Sequence, residues 1–129
     1  MVENRKNEIS LYQRLGGYDV IATIVEEVLT RMRQDPKFAR FATRSADSRD
    51  RARQLLVDQM CALAGGPCVY IGRDMKTAHT GLNITEDEWE ASLGHTRDAL
   101  ERQQIGKREQ RDFLELFERY KADIVEVAG

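Results

Sequence analysis

Apolar positions recur at three- and four-residue steps along almost the whole chain. Ile21, Ile24, Val25, Val28, Leu29 and Met32 form one such stripe, and this spacing predicts a helix from near Tyr18 that ends before Asp35-Pro36. Asp35 then offers an N-cap and Pro36 a first helical position for a short turn carrying Phe38 and Phe41. The small polar run TRSADS at 43–48 reads as a loop, with Asp47 or Ser48 capping a helix that runs to about Ala64. Its apolar face is Ala52, Leu55, Leu56, Met60 and Leu63, and Gly65-Gly66-Pro67 stops it.

After CVYIG, a short piece places Met75, Ala78, His79 and Leu82 at helical spacing, bounded by Gly72 and Gly81. Thr85 and Glu88 form a capping box, with Ile84 free to staple onto Trp89, so a helix is predicted over 86–101 with Trp89 and Leu93 facing inward. Beyond a loop at Gly106, Phe113, Phe117, Tyr120, Ile124 and Val127 mark a last helix. The strand-like run Val69-Tyr70-Ile71 is too short for a sheet, so the fold class is all-α, with no repeat or linker to divide it.

Composition narrows the function classes. The 129 residues suit one domain, and 41% hydrophobic with 33% charged residues is ordinary for a folded helical protein. A net charge of −2 supplies no electrostatic footprint for nucleic acid or an anionic membrane. MVENRKNEIS lacks an apolar signal core and no run is long enough to span a bilayer, so a cytoplasmic protein is expected. Cys61 and Cys68 make neither a CxxC pair nor a dense framework; reduced thiols are the expectation, and the missing CxxCH excludes c-type haem attachment.

Few residues can carry chemistry. GxSxG, GxGxxG and GxxxxGK[ST] are all absent, and neither cysteine has an electropositive neighbourhood. Cys61, Cys68, His79 and His95 offer zinc-type donors at spacings that match no usual pattern. The acidic triplet Glu86-Asp87-Glu88 complements a helix N-terminus, and RDRAR at 49–53 reads as a solvated face. His95, in GHTRD, reads as a hydrogen-bonded or partly exposed side chain. His79, on the apolar side of its helix, must find a hydrogen-bond partner or ligate a metal. It faces a second helix whose Ala52, Leu56 and Met60 carry no charge, with Leu29, Phe38, Phe41, Trp89, Phe113 and Phe117 available as walls. Such a slot suits a flat apolar macrocycle with one axial ligand, although aromatic stripes are also ordinary core.

LYQRLGGYDVI, ALAGGP and YIGRDMKTAHTGLNIT resemble, in order and spacing, the group I truncated (2/2) haemoglobins, with Gly16-Gly17 and Gly65-Gly66 matching their glycine motifs. The resemblance runs from about Ser10 to Val127 and implies a two-over-two helical sandwich around haem b, with residues 1–9 an N-terminal extension and 10–129 the globin domain. It makes His79 the proximal ligand of the iron through Nε2, with Nδ1–H held by a nearby backbone carbonyl. Met75, Ala78, Ile84 and Trp89 would line the proximal side, and Tyr70, Arg73 and Lys76 are candidates for the propionates.

On the distal side the sequence departs from the pattern. Where many group I members place a tyrosine and a glutamine that donate hydrogen bonds to the gas, the matching positions are Leu29 and Leu56, with Ala52 at the usual gate. Phe41 and Ala42 lie beside a loop about two residues longer than usual. An apolar pocket forfeits about 1.5–3 kcal/mol for oxygen, whose bound form is polarised, and less for carbon monoxide or nitric oxide. Gln59, beside Met60, is a substitute donor at the pocket edge or in solvent, and Met60 the sole side chain on that face able to approach the iron. The implied function is reversible binding of O2, NO or CO at a pentacoordinate haem, in a monomer or weak dimer served by a reductase. Nitric oxide dioxygenation, gas sensing and a haem-free helical interaction module are the alternatives.

Overall fold

A computed structural model describes residues 9–41 and 46–128. Helix α1 (Leu11–Leu15) opens with a reciprocal capping box between Ser10 and Gln13 and ends at Gly16, whose φ of 111° is a left-handed conformation favouring glycine. Helix α2 (Tyr18–Gln34) follows with acidic Asp19 in its first turn and Arg31 and Arg33 in its last, as the helix dipole favours. Asp35 caps the 3-10 turn Pro36–Phe41 by accepting from the Lys37 amide at 2.9 Å. Then come α3 (Ala46–Leu63), α4 (Met75–His79), α5 (Glu86–Arg102), α6 (Lys107–Glu118) and α7 (Lys121–Ile124). No helix among the described residues is long and apolar enough to cross a membrane.

Helix α2 is the centre of the packing: it lies against α3 on one side and α5 on the other, while α5 also packs on α6. Its Ile21, Ile24, Val25 and Val28 meet Val57, Met60 and Cys61 of α3, Ala99 and Leu100 of α5, and Phe113 and Leu116 of α6 in one buried cluster. Full burial of a side chain of this size contributes about 1.5–3 kcal/mol. Arg14 fastens α1 to α6 by reaching Glu109 at 2.7 Å and Asp112 at 2.9 Å.

Four expectations are corrected. The cysteines are not reduced: Cys61 and Cys68 form a disulfide across the Gly65-Gly66-Pro67 turn, their Cα atoms 5.8 Å apart. The turn doubles the chain back on the end of α3, and Gly66 makes this possible because a Cβ there would lie 2.8 Å from the Cys61 sulfur and also strike the Tyr12 ring. The last apolar stripe is not one helix; it breaks at Arg119 and Tyr120, and Val127 leaves helix altogether. Its tail instead runs beside the start of α5, with the Glu126 and Val127 amides donating to Ile84 O at 2.9 and 3.1 Å and Glu86 N donating to Val127 O at 3.0 Å. Helix α3 starts at Ala46, so Asp47 and Ser48 lie within it rather than ahead of it, and the loop that would cap it, with Ala42, lies outside the described residues. Finally, the fully buried stripe of α3 is Val57, Met60 and Cys61, continued by Ala64 just beyond the helix, while Leu56 and Leu63 are half-buried against it and Leu55 is not part of the cluster.

Candidate functional site

The short helix that carries His79 depends on its cap. Asp74 accepts from the Thr77 amide at 2.7 Å, and hydrogen bonding from the Thr77 side chain and then from this amide holds its carboxyl below the usual carboxylate range. One turn later, His79 Nδ1 lies 2.8 Å from Met75 O. A carbonyl only accepts, so Nδ1 carries the proton and a neutral ring keeps its lone pair on Nε2. Nε2 has no hydrogen-bond partner among the described residues. The ring is half-buried, flanked on its own turn by the half-buried Met75 and Ala78.

Several elements present apolar side chains that are only half-buried, some of them packed against the edge of the core cluster. On α3 these are Ala52, Leu56 and Leu63, which share one helical face. Leu29 on α2, Phe41 on the 3-10 turn, Ile84 ahead of α5 and Phe117 on α6 are likewise half-buried, whereas Met60, Trp89 and Phe113 are buried. Phe113 and Phe117 meet edge-to-face at 5.6 Å. Gln59 shares the helical face of Ala52 and Leu56, and it is 9% exposed rather than at the solvent edge. Its amide has no hydrogen-bond partner among the described residues. Trp89 Nε1 is buried and also without a partner. Such an orphaned donor costs about 1–3 kcal/mol unless something supplies the acceptor.

The candidates for anionic contacts divide. Arg73 and Lys76 are exposed and form no ion pair among the described residues, but the Tyr70 hydroxyl is spent on Arg73 O. His95 is engaged elsewhere: its Nε2 pairs with Asp35 Oδ2 at 2.8 Å, a bond that lowers the Asp35 carboxyl pKa.

Residues separated widely in sequence also meet at the turn that follows His79. Arg40 grips Glu88 through Nε at 2.9 Å and NH2 at 2.7 Å, while NH1 donates to Leu82 O at 2.7 Å and NH2 to Asn83 O at 3.2 Å. Its guanidinium also lies 4.1 Å from the centre of the Phe41 ring. No local spacing signals this pairing. The Arg40 hydrogen bonds hold the Glu88 carboxyl below its ordinary value. A depressed folded pKa gives stability that is present above the unfolded pKa, about 4.3, and lost as pH falls through the folded one. Acid unfolding followed by circular dichroism should therefore begin below about pH 4.3, with a shallower dependence on pH in Glu88→Gln.

Residues 10–126 match the family described as bacterial-like globin. The chain belongs to that family. Among its relatives, a group 1 truncated haemoglobin of Mycolicibacterium paratuberculosis is 34% identical over 91 residues, covering 70% of this chain and 65% of the relative. One from Nostoc commune is 28% identical over 70% of this chain and 75% of its own length. The chain thus spans slightly under two thirds of the mycobacterial relative. The globin's solved neighbours include a truncated haemoglobin from Tetrahymena pyriformis in its Fe(III) form, with a TM-score of 0.83 at 20% identity over 91% of this chain and 98% of that one. A group II truncated haemoglobin from Bacillus anthracis scores 0.83 at 16% identity, covering 95% of each chain. The fold is therefore the two-over-two helical sandwich of these proteins, with α2 and α3 forming one pair and α5 and α6 the other.

Proposed function

We propose that this globin binds haem b in the region walled by α2, α3, α5 and α6, with His79 Nε2 as the axial ligand, and takes up a diatomic gas reversibly on the opposite face. The observation that carries the reading is the His79 ring, whose Nδ1–H is committed to Met75 O at 2.8 Å while Nε2 is left without a partner. The donor set fits the cofactor: one imidazole, the unpartnered indole N–H of Trp89, the Gln59 amide and otherwise apolar walls suit a flat, largely hydrophobic ring. When bound, haem supplies the open coordination position at which O2, NO or CO is held.

The chain's own residues set the terms. Met75, Ala78, Ile84 and Trp89 line the proximal side, and Phe41, Met60, Phe113 and Phe117 complete the slot. Arg73 and Lys76, with free cationic ends, neutralise the propionates, and Tyr70 shapes that edge by packing. Leu29 and Leu56 exclude water opposite His79 and offer no hydrogen bond, which weakens retention of oxygen relative to carbon monoxide. Residues 10–129 form the functional domain, with 1–9 an extension to it. Titrating the purified chain with haemin should build a Soret band that saturates at one equivalent. A titration that never departs from free haemin would overturn the proposal and leave a helical interaction module.

A further inference from the structure

The corner that follows His79 is held from outside by groups from distant parts of the chain. Gly81 and Asn83 have positive φ of 89° and 55°, so their amides turn to one side of the backbone and form a small anion-accepting concavity. The carboxylate of Glu126 fills it, accepting from Gly81 N at 3.1 and 3.2 Å and from Asn83 N at 2.8 Å. The amide between them belongs to Leu82 and donates to His79 O at 3.1 Å. The carbonyls of Leu82 and Asn83 receive the Arg40 guanidinium. Helix α7, which leads into Glu126, packs directly on α4. The His79 helix is a single turn, too short to hold a side chain's direction by its own hydrogen bonds.

We infer that Glu126, seconded by Arg40, is a positioning residue for His79: the C-terminal tail clamps the turn after the histidine and thereby fixes where Nε2 points. The inference rests on the haem-binding reading and adds to it which distant group sets the geometry of the axial ligand. Outer groups that orient a metal-ligating histidine are typically worth 10–100-fold in metal affinity. A tail that merely finished the fold would affect thermal stability and leave the ligand untouched.

The test compares the full-length wild type, Glu126→Ala and Glu126→Gln, each loaded with haemin. Glu126 is exposed, so the variants should fold, and unchanged circular dichroism checks this. Amide exchange at Gly81 and Asn83 should speed up by about tenfold in Glu126→Ala, and haemin transfer to a scavenger apoglobin should accelerate by a similar factor. The iron–imidazole stretching band of the ferrous form should shift or broaden. Glu126→Gln keeps one acceptor oxygen and should fall between. If wild type binds haemin but Glu126→Ala leaves both the transfer rate and the stretching band unchanged, the clamp does not position His79. If wild type takes no haemin, the functional reading fails and this inference fails with it, a result the spectrum separates from the first.

Discussion

Replacing His79 by alanine is expected to lower haemin affinity by at least about 100-fold, because it removes the axial bond itself rather than a group that only orients it. The apolar walls remain, so some porphyrin should still adsorb, with a broad, weak Soret band in place of a sharp one. Truncation leaves a space the size of an imidazole ring beside Met75, and free imidazole at millimolar concentration should restore much of the ferrous spectrum. His95→Ala is the matching control. His95 is occupied with Asp35 at 2.8 Å and stands at the far end of a separate contact with the Phe38 ring, so its loss should leave haemin binding intact. Equal affinity in wild type and His79→Ala would remove the basis of the functional reading.

The double replacement Leu29→Tyr with Leu56→Gln is expected to slow oxygen dissociation by about tenfold or more, since one hydrogen bond of charged character is worth about 1.5–3 kcal/mol and each 1.4 kcal/mol is a factor of ten. Carbon monoxide should respond much less, and the ratio of the two rates is the sensitive readout in flash photolysis. Both leucines are half-buried at the edge of the core on helices already in contact, so unchanged circular dichroism is the control for folding. Gln59, on the face of Ala52 and Leu56, supplies a check on register. Unchanged oxygen release in the double variant, combined with faster release in Gln59→Leu, would assign the distal donor to Gln59 and displace both leucines from that role.

Much of this architecture is legible before any coordinates, for reasons that differ by element. Helix α2 announces itself through one uninterrupted apolar stripe and a proline stop, and α5 through the Thr85 and Glu88 capping box; both depend on neighbours in sequence. His79 stands out because histidine is scarce and its Nδ1 partner lies only four residues away. Other pairings depend on tertiary proximity alone. Arg40 and Glu88 meet across 48 positions and Glu126 reaches back to Gly81 across 45, and no periodicity encodes such distances. Val127 kept the apolar spacing of the last helix, yet pairing with Ile84 and Glu86 satisfied the backbone better than another helical turn. The Cys61–Cys68 bond was within reach: the Gly65-Gly66-Pro67 turn between them returns the chain upon itself, and this outweighs the lack of a multi-cysteine framework.

That bond has a bearing on how the histidine segment behaves when the protein breathes. Among the described residues no backbone amide from Cys68 to Asp74 donates to a main-chain carbonyl, and Val69 and Ile71 are 75% and 78% exposed. The sulfur bridge is the covalent mooring of this stretch to the end of α3. The covalent ring spans a sequence separation of 7, and closing a loop of that length removes about 2–3 kcal/mol of disorder from the unfolded chain. Because the ring persists when weaker contacts give way, it keeps Cys68 at the end of α3 while the exposed segment beyond it leads on to His79. The bridge therefore anchors one end of the segment that delivers the His79 turn.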